Sequence, residues 1–264
     1  MTNRFEKKYF PTIVDNFFEN PDKIRKFGLS LDYTPDSDGH FPGVRSKSLH
    51  EIDYEMYMSL MLKFMSMFHD FAFQNVNWMD ASVYFHKIKD TGDEELNKGW
   101  IHTDNDHELA GLCYLNPGVT NLDWGTSIYK QKDNTEYMRY GRQHYKNMFY
   151  KNEPVDLNKY KKSLKENNEN FQETIRVGNV YNRMIAYSAP ENHCHNGVTK
   201  DEERLTLLFF INGLTPDRNR FPNKRVKDPK HYDNFIHDRI DELNKKEDND
   251  ERETEDGSKE KVRG

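Results

Sequence analysis

The sequence predicts a mostly β domain with helices packed outside it, and three observations carry that prediction. Short apolar, β-branched runs bounded by turn residues recur at 81–88, 109–115 and 205–211, the pattern of strands buried in a sheet. Apolar residues at helical spacing are confined to a few stretches. The apolar content is low but strongly aromatic: 34% hydrophobic, with 17 Phe, 15 Tyr and 3 Trp among 264 residues. Burial therefore relies on large rings. That length supports one large core, expected over residues 1–245, and the charged stretch 246–264 is expected to stay disordered.

In order, residues 9–18 are aromatic and β-branched and suit a strand. Asn20-Pro21-Asp22 reads as a helix start, with Asn20 capping and Pro21 in the first turn, and Gly28 is placed to end that helix. Residues 32–48 are rich in Gly, Pro, Asp and Ser and read as a loop. Over 51–71, Ile52, Met56, Leu60 and Phe64 fall on one helical stripe, widened by further Met and Phe into a largely buried helix. Strands follow at 81–88, at 109–115 up to the turn Asn116-Pro117-Gly118, and at 124–129. Residues 130–172 are dominated by Tyr, Lys, Arg and Asn with faint periodicity, and read as an insertion over the domain. Strand signals return over 175–189 and 205–211. Tyr232, Phe235, Ile236, Ile240 and Leu243 then form a short amphipathic helix.

A net charge of -6 argues against general binding to nucleic acid or anionic membranes, which needs clustered Lys and Arg. No secretory or transmembrane segment is visible, so a cytoplasmic location is expected. Cys113 and Cys194 are the only cysteines, and in that compartment they are expected to be reduced.

The chemistry concentrates in Trp100-Ile101-His102-Thr103-Asp104 and, some ninety residues on, His193-Cys194-His195-Asn196-Gly197 and Glu203-Arg204-Leu205-Thr206. A His and a carboxylate one residue apart, joined by one distant His, is the facial ligand set of non-haem Fe(II). His-Xaa-Asp alone is weak, since His231-Tyr232-Asp233 repeats it by chance. Its setting between strands is the stronger signal. Both His193 and His195 could supply the third ligand, and His195 is favoured for its spacing to Arg204 and its Asn-Gly follow-on. Arg204 suits bidentate pairing with a carboxylate. A Cys/His zinc site built on Cys194 is an alternative, but no second Cys pair supports it.

The order strand, His102-Thr103-Asp104, strand with Tyr114-Leu115-Asn116, Gly125-Thr126, strand, His195, Arg204-Leu205-Thr206, strand resembles the Fe(II)- and 2-oxoglutarate-dependent oxygenases, in particular the prolyl-hydroxylase-like branch. Phe17-Phe18-Glu19-Asn20-Pro21 and Pro42-Gly43-Val44-Arg45-Ser46 resemble microbial and phage members of that group. The resemblance implies a double-stranded β-helix, or jelly roll, with iron on His102, Asp104 and His195. It also implies that 2-oxoglutarate's distal carboxylate pairs with Arg204, helped by Thr206, with the hydroxyls of Tyr114 and Tyr84 nearby. The implied reaction consumes dioxygen and 2-oxoglutarate, releases succinate and carbon dioxide, and hydroxylates a C–H bond of a small molecule or a protein side chain. Retention of Asp104 sets it apart from halogenases, which leave that position open. A zinc-dependent hydrolase on the same ligands and a non-catalytic jelly-roll binding module are the rival readings.

Overall fold

Eight strand positions are shared equally between two facing sheets, and that division defines the architecture. The computed structural model describes residues 9–35, 43–71, 75–132, 156–198, 203–216 and 232–245. The larger sheet contains β1 (Thr12–Val14), β2 (Tyr33–Thr34), β3 (Val44–Ser46), β5 (Asp80–Ile88), β6 (Leu109–Tyr114), β9 (Met184–Ser188) and β11 (Arg204–Asn212), in the spatial order β1-β9-β6-β11-β5-β3-β2. The smaller sheet is β10-β7-β8, formed by Asn192–His195, Thr126–Gln131 and Phe171–Val177. A single bridge from His102 to His193 supplies a fourth position on its edge. From β5 onward the chain visits the large sheet, the bridge at His102, β6, β7, β8, β9, β10 and β11. All pairings are antiparallel. This is the double-stranded β-helix. A short pair, β4 (Val76–Asn77) with β12 (Thr215–Pro216), lies beside it.

Strand β11 is central. It pairs with β5 from Arg204↔Ile88 to Asn212↔Asp80 and with β6 from Thr206↔Tyr114 to Ile211↔Leu109. Alternation along the strand sends Leu205, Leu207, Phe209 and Ile211 into the main core, while Leu208, with Phe210 packed alongside, joins Tyr114, Ile128, Ile185 and Tyr187 between the two sheets. Arg204 and Thr206 share the inward parity.

Helices cover the outer face. Helix α1 (Pro21–Ser30) starts as its sequence dictates, with Pro21 in the first turn and the Asn20 side chain accepting from the Lys23 N–H. Gly28 does not end it. It is buried inside the helix, where an added Cβ would lie 2.4 Å from the Phe85 ring, so its smallness serves close packing on β5. The stripe expected over 51–71 is two helices, α2 (Leu49–Ile52) and α3 (Tyr54–Met65). They are separated at Asp53, which is extended and caps α3 by accepting from the Met56 N–H at 2.8 Å. The capping preference of Asp outweighed the continuous apolar stripe. Met56, Leu60 and Phe64 are buried as the spacing required, and Phe64 stacks on Phe209 at 4.5 Å.

Helix α4 (Leu157–Glu169) and a helix over 232–245, here α5, complete the described elements. Ile236 and Ile240 of α5 enter the main core. Asp233 forms a buried ion pair with Lys63 of α3 at 2.7 Å, and the same ammonium lies 5.1 Å from the Phe17 ring centroid. The loop expected over 32–48 contributes β2 at the sheet edge and β3 beside it, strands too brief to show a periodicity of their own. The expected tail over 246–264 and most of the 130–172 insertion fall outside the described residues. Among the described residues no helix is long and apolar enough to cross a membrane.

Candidate metal centre

His102, Asp104 and His193 bring one ligand atom each to within 4.8 Å of one another, the one such group among the described residues. Local backbone geometry explains the orientation of both imidazoles. His102 Nδ1 lies 2.7 Å from the Trp100 carbonyl and His193 Nδ1 lies 2.8 Å from the Glu191 carbonyl. A carbonyl only accepts, so each Nδ1 carries the proton and each Nε2 presents its lone pair. Those Nε2 atoms lie 3.7 and 3.3 Å from the two Asp104 oxygens. Fixing a His through its second nitrogen is the usual support for a metal-bound imidazole.

The electrostatics match that purpose. Burial works to raise the Asp104 carboxyl, but the His193 hydrogen bond and the charges of His193, His102 and Arg45 outweigh it and hold the group ionised well below the ordinary range. Burial works to lower His193, and its contact with Asp104 reverses that into a net rise. Without a metal the carboxylate favours the protonated imidazole. A divalent cation could take over that compensating role.

His195, favoured by its spacing to Arg204, is not in this group. The bridge from His102 to His193 fixes the register of β10, and His195 lies two residues farther along, paired with Thr126. There it is half-buried and kept neutral, its pKa lowered to about 3 by desolvation of the ring, by Arg204 and by His102. Gly99 explains the close approach of this segment: its N–H donates to the His195 carbonyl at 2.9 Å, and a Cβ would lie 2.8 Å from His195 Nδ1. Cys194 faces the other way, among Ile101 and Phe171, with its thiol pushed up to about 12 by burial. It is a free thiol, as is Cys113, and neither joins a group of converging ligand atoms among the described residues. His231 lies outside the described residues, and Asp233 is committed to Lys63.

Arg204 is 3% exposed, and its Nε and Nη2 have no hydrogen-bond partner. Its guanidinium carbon lies 5.6 Å from the centroid of Tyr114. Burial lowers its pKa, opposed by the neighbouring Tyr114 and Tyr187. Thr206 is fully buried and its Oγ1 is also unpartnered. Tyr114 donates to Thr126 Oγ1 at 2.9 Å, and Tyr187 packs its ring 4.7 Å from that of His193. Tyr187 thus links the ligand group to the Arg204 cluster: its ring packs on His193 and its phenol interacts with Asp104, Tyr114 and Arg204.

Tyr84 is displaced from the position expected for it. It pairs with Leu208 while Arg204 pairs with Ile88, four residues or about 13 Å along the strand. Its ring instead carries the Arg45 guanidinium at 5.5 Å.

Several supporting residues carried no sequence signal. Asn168 Oδ1 accepts from the Ile101 N–H at 3.0 Å and its Nδ2 donates to the Gly99 carbonyl at 3.0 Å, while Asn167 donates to the Ile101 carbonyl at 3.2 Å. Helix α4 therefore grips the segment that carries His102. Asn116 holds the start of β11 by accepting from the Leu205 N–H at 2.7 Å and donating to the Glu203 carbonyl at 2.9 Å.

A family model described as a family of unknown function, DUF6445, matches residues 5–207. The chain belongs to DUF6445. No curated protein matches it in sequence. Among solved structures, this DUF6445 chain is similar to HygX from Streptomyces hygroscopicus with nickel, 2-oxoglutarate and hygromycin B bound, at TM-score 0.46 and 12% identity over 76% of this chain and 82% of that one. It is also similar to a prolyl hydroxylase from Trichoplax adhaerens in complex with a hypoxia-inducible-factor peptide, at TM-score 0.44 and 11% identity over 76% and 83% of the two chains.

Proposed function

We propose that this chain is an Fe(II)- and 2-oxoglutarate-dependent oxygenase in which His102, Asp104 and His193 hold the metal. The observation that carries this reading is the pairing of two incomplete sites that meet across Tyr187. One is a two-histidine, one-carboxylate donor set with both Nε2 lone pairs turned inward. The other is a buried guanidinium with two nitrogens unpartnered. Unpaired buried donors are costly, so Arg204 fits a missing anionic partner, and a dicarboxylate that reaches from the metal to Arg204 satisfies both sites. Thr206 Oγ1, unpartnered on the same strand, adds a second contact to that carboxylate.

The remaining roles belong to the protein. Asp104 stays ionised and balances the charge of the cation, while the Trp100 and Glu191 carbonyls hold each imidazole in the ligating tautomer. Tyr114, fixed by Thr126, sets the floor under Arg204. Leu112, Ile185 and Leu208 close the space between the sheets and exclude water, which strengthens every charge contact within. Bound there, Fe(II) with 2-oxoglutarate supplies the oxidising chemistry, and the protein supplies orientation. With Asp104 occupying its ligand position, hydroxylation of a substrate C–H bond is the expected outcome, with release of succinate and carbon dioxide.

The test is anaerobic addition of Fe(II) and 2-oxoglutarate to the purified protein, followed by visible spectroscopy. The expected result is a metal-to-ligand charge-transfer band that is lost in His193→Ala and in Arg204→Met. No band in the parent protein, together with metal-dependent hydrolytic activity, would replace this reading with the zinc hydrolase.

A further inference from the structure

A second concave site lies at the far end of β5 from Arg204, and the function proposed above makes no use of it. It is an open groove of about 400 Å³ between α2, the start of α3 and the 78–84 stretch, within the usual range for a ligand site. Five rings line it: His50, Tyr54, Tyr57, Trp78 and Tyr84. They form an ordered set, with His50 edge-on to Tyr54 at 5.3 Å and to Tyr57 at 5.2 Å. Tyr57 is locked in place, donating to the Ala81 carbonyl at 3.1 Å and hydrogen-bonded to the Trp78 side chain.

The charge of this groove is one-sided. Glu51 and Asp80 line it, no Lys or Arg does, and neither carboxylate forms an ion pair among the described residues. Aromatic faces and carboxylates both attract cations, and their combination is the usual way to recognise an ammonium or guanidinium group. Tyr84 joins the groove to Arg45. On its inner side lies Arg45, 5.5 Å from the Tyr84 centroid and 5.2 Å from that of Phe210, with its charge acting on Asp104. A cation is therefore repelled at the inner end and attracted at the outer end.

We propose that this groove is the outer part of the substrate site and binds a protonated amine or guanidinium carried by the substrate, leaving the uncharged part of that molecule toward the metal. The word substrate rests on the oxygenase reading; the cation preference rests on the groove alone.

The experiment uses the full chain without metal or 2-oxoglutarate and follows Trp fluorescence and calorimetric heat on addition of spermidine, of hexalysine, or of hexaglutamate as control. Saturable binding of either cation is expected, with none of hexaglutamate. Tighter binding of spermidine identifies a free amine, and tighter binding of hexalysine a basic peptide. Glu51→Gln combined with Asp80→Asn should weaken binding roughly five- to tenfold, the scale of two partly exposed ion pairs. Glu166→Gln combined with Glu169→Gln, which removes the same charge from α4, should leave it unchanged. Equal weakening in both double variants, or no saturable binding in the parent protein, overturns the proposal. The Fe(II)–2-oxoglutarate band of the groove variant should match the parent's. Its absence from both proteins, with amine binding intact, would remove the oxygenase reading and leave the cation site standing.

Discussion

Replacing Arg204 with Met should make the ligand-free protein more stable and remove its response to 2-oxoglutarate, two effects of opposite consequence from one change. In the free protein the guanidinium is 3% exposed with two nitrogens unpartnered, and each unsatisfied buried donor costs about 1–3 kcal/mol. Its contact with the Tyr114 ring at 5.6 Å returns about 0.5–2 kcal/mol. Methionine fills a similar length without donors, so a net gain of about 1–3 kcal/mol is expected, in line with replacements of buried charges by apolar side chains. For a chain of this size that is roughly 2–10 °C in Tm. With Mn(II) as a redox-inert metal and 2-oxoglutarate at a hundred times its Kd, the parent should gain about 2.7 kcal/mol and the variant nothing, which offsets most or all of the variant's advantage. Thermal unfolding followed by circular dichroism, with and without the ligand, reads both. A ligand-free variant less stable than the parent refutes the unpaired-guanidinium argument, and a variant that keeps the ligand-induced shift refutes the carboxylate clamp.

Metal affinity should separate the two histidines of β10: His193→Ala should lose Co(II) binding, read from its visible spectrum, while His195→Ala keeps it, and the reverse pattern would return the third ligand to His195. Asp233→Asn leaves the Lys63 ammonium buried without its counter-charge, so urea unfolding should show a loss of about 3–5 kcal/mol; a change under 1 kcal/mol would mean that α5 contributes little to the core. Cys194, raised to about 12, and Cys113, raised further, are both protonated at pH 8 and should react with a thiol reagent only after unfolding. A fast-reacting thiol in the native protein would place one of them at the surface.

Much of the fold was legible because buried strands leave dense signals. The runs at 81–88, 109–115 and 205–211 became β5, β6 and β11 within a residue or two at either end, and Asn20-Pro21 gave the start of α1 through capping chemistry alone. What escaped was decided by contacts made across the molecule. His193 and His195 share one strand parity, so alternation cannot rank them. The choice was made by the bridge to His102, a pairing between residues about ninety positions apart. The spacing to Arg204 favoured His195, whereas the ligand atoms that converge belong to His102, Asp104 and His193, because spacing measures sequence along a connection and not register within the sheet. Tyr84, expected near Arg204 from the family resemblance alone, pairs with Leu208 and lies four residues along β5 from the level of Arg204. Asn167 and Asn168 lie in a polar stretch whose role exists only once α4 has docked on the Gly99–Ile101 backbone. Arg45, quoted only as part of the Pro42-Gly43-Val44-Arg45-Ser46 resemblance, belongs to a three-residue strand between β5 and β2, too short to show where its side chain would go.

The place of β11 between β5 and β6 bears on how the molecule is made. Those two strands never pair with each other; each waits for Arg204–Asn212, which leaves the ribosome about ninety residues after β6. At cellular rates of synthesis that interval is roughly 5–20 s, far longer than hairpins or helices need to form. Through it the emerging chain carries two apolar strands with open edges, the condition under which chains associate wrongly. Yield in a cell should therefore depend on chaperone supply and growth temperature more than on the stability of the finished protein, and the last strand of the large sheet to arrive is also the one that brings Arg204.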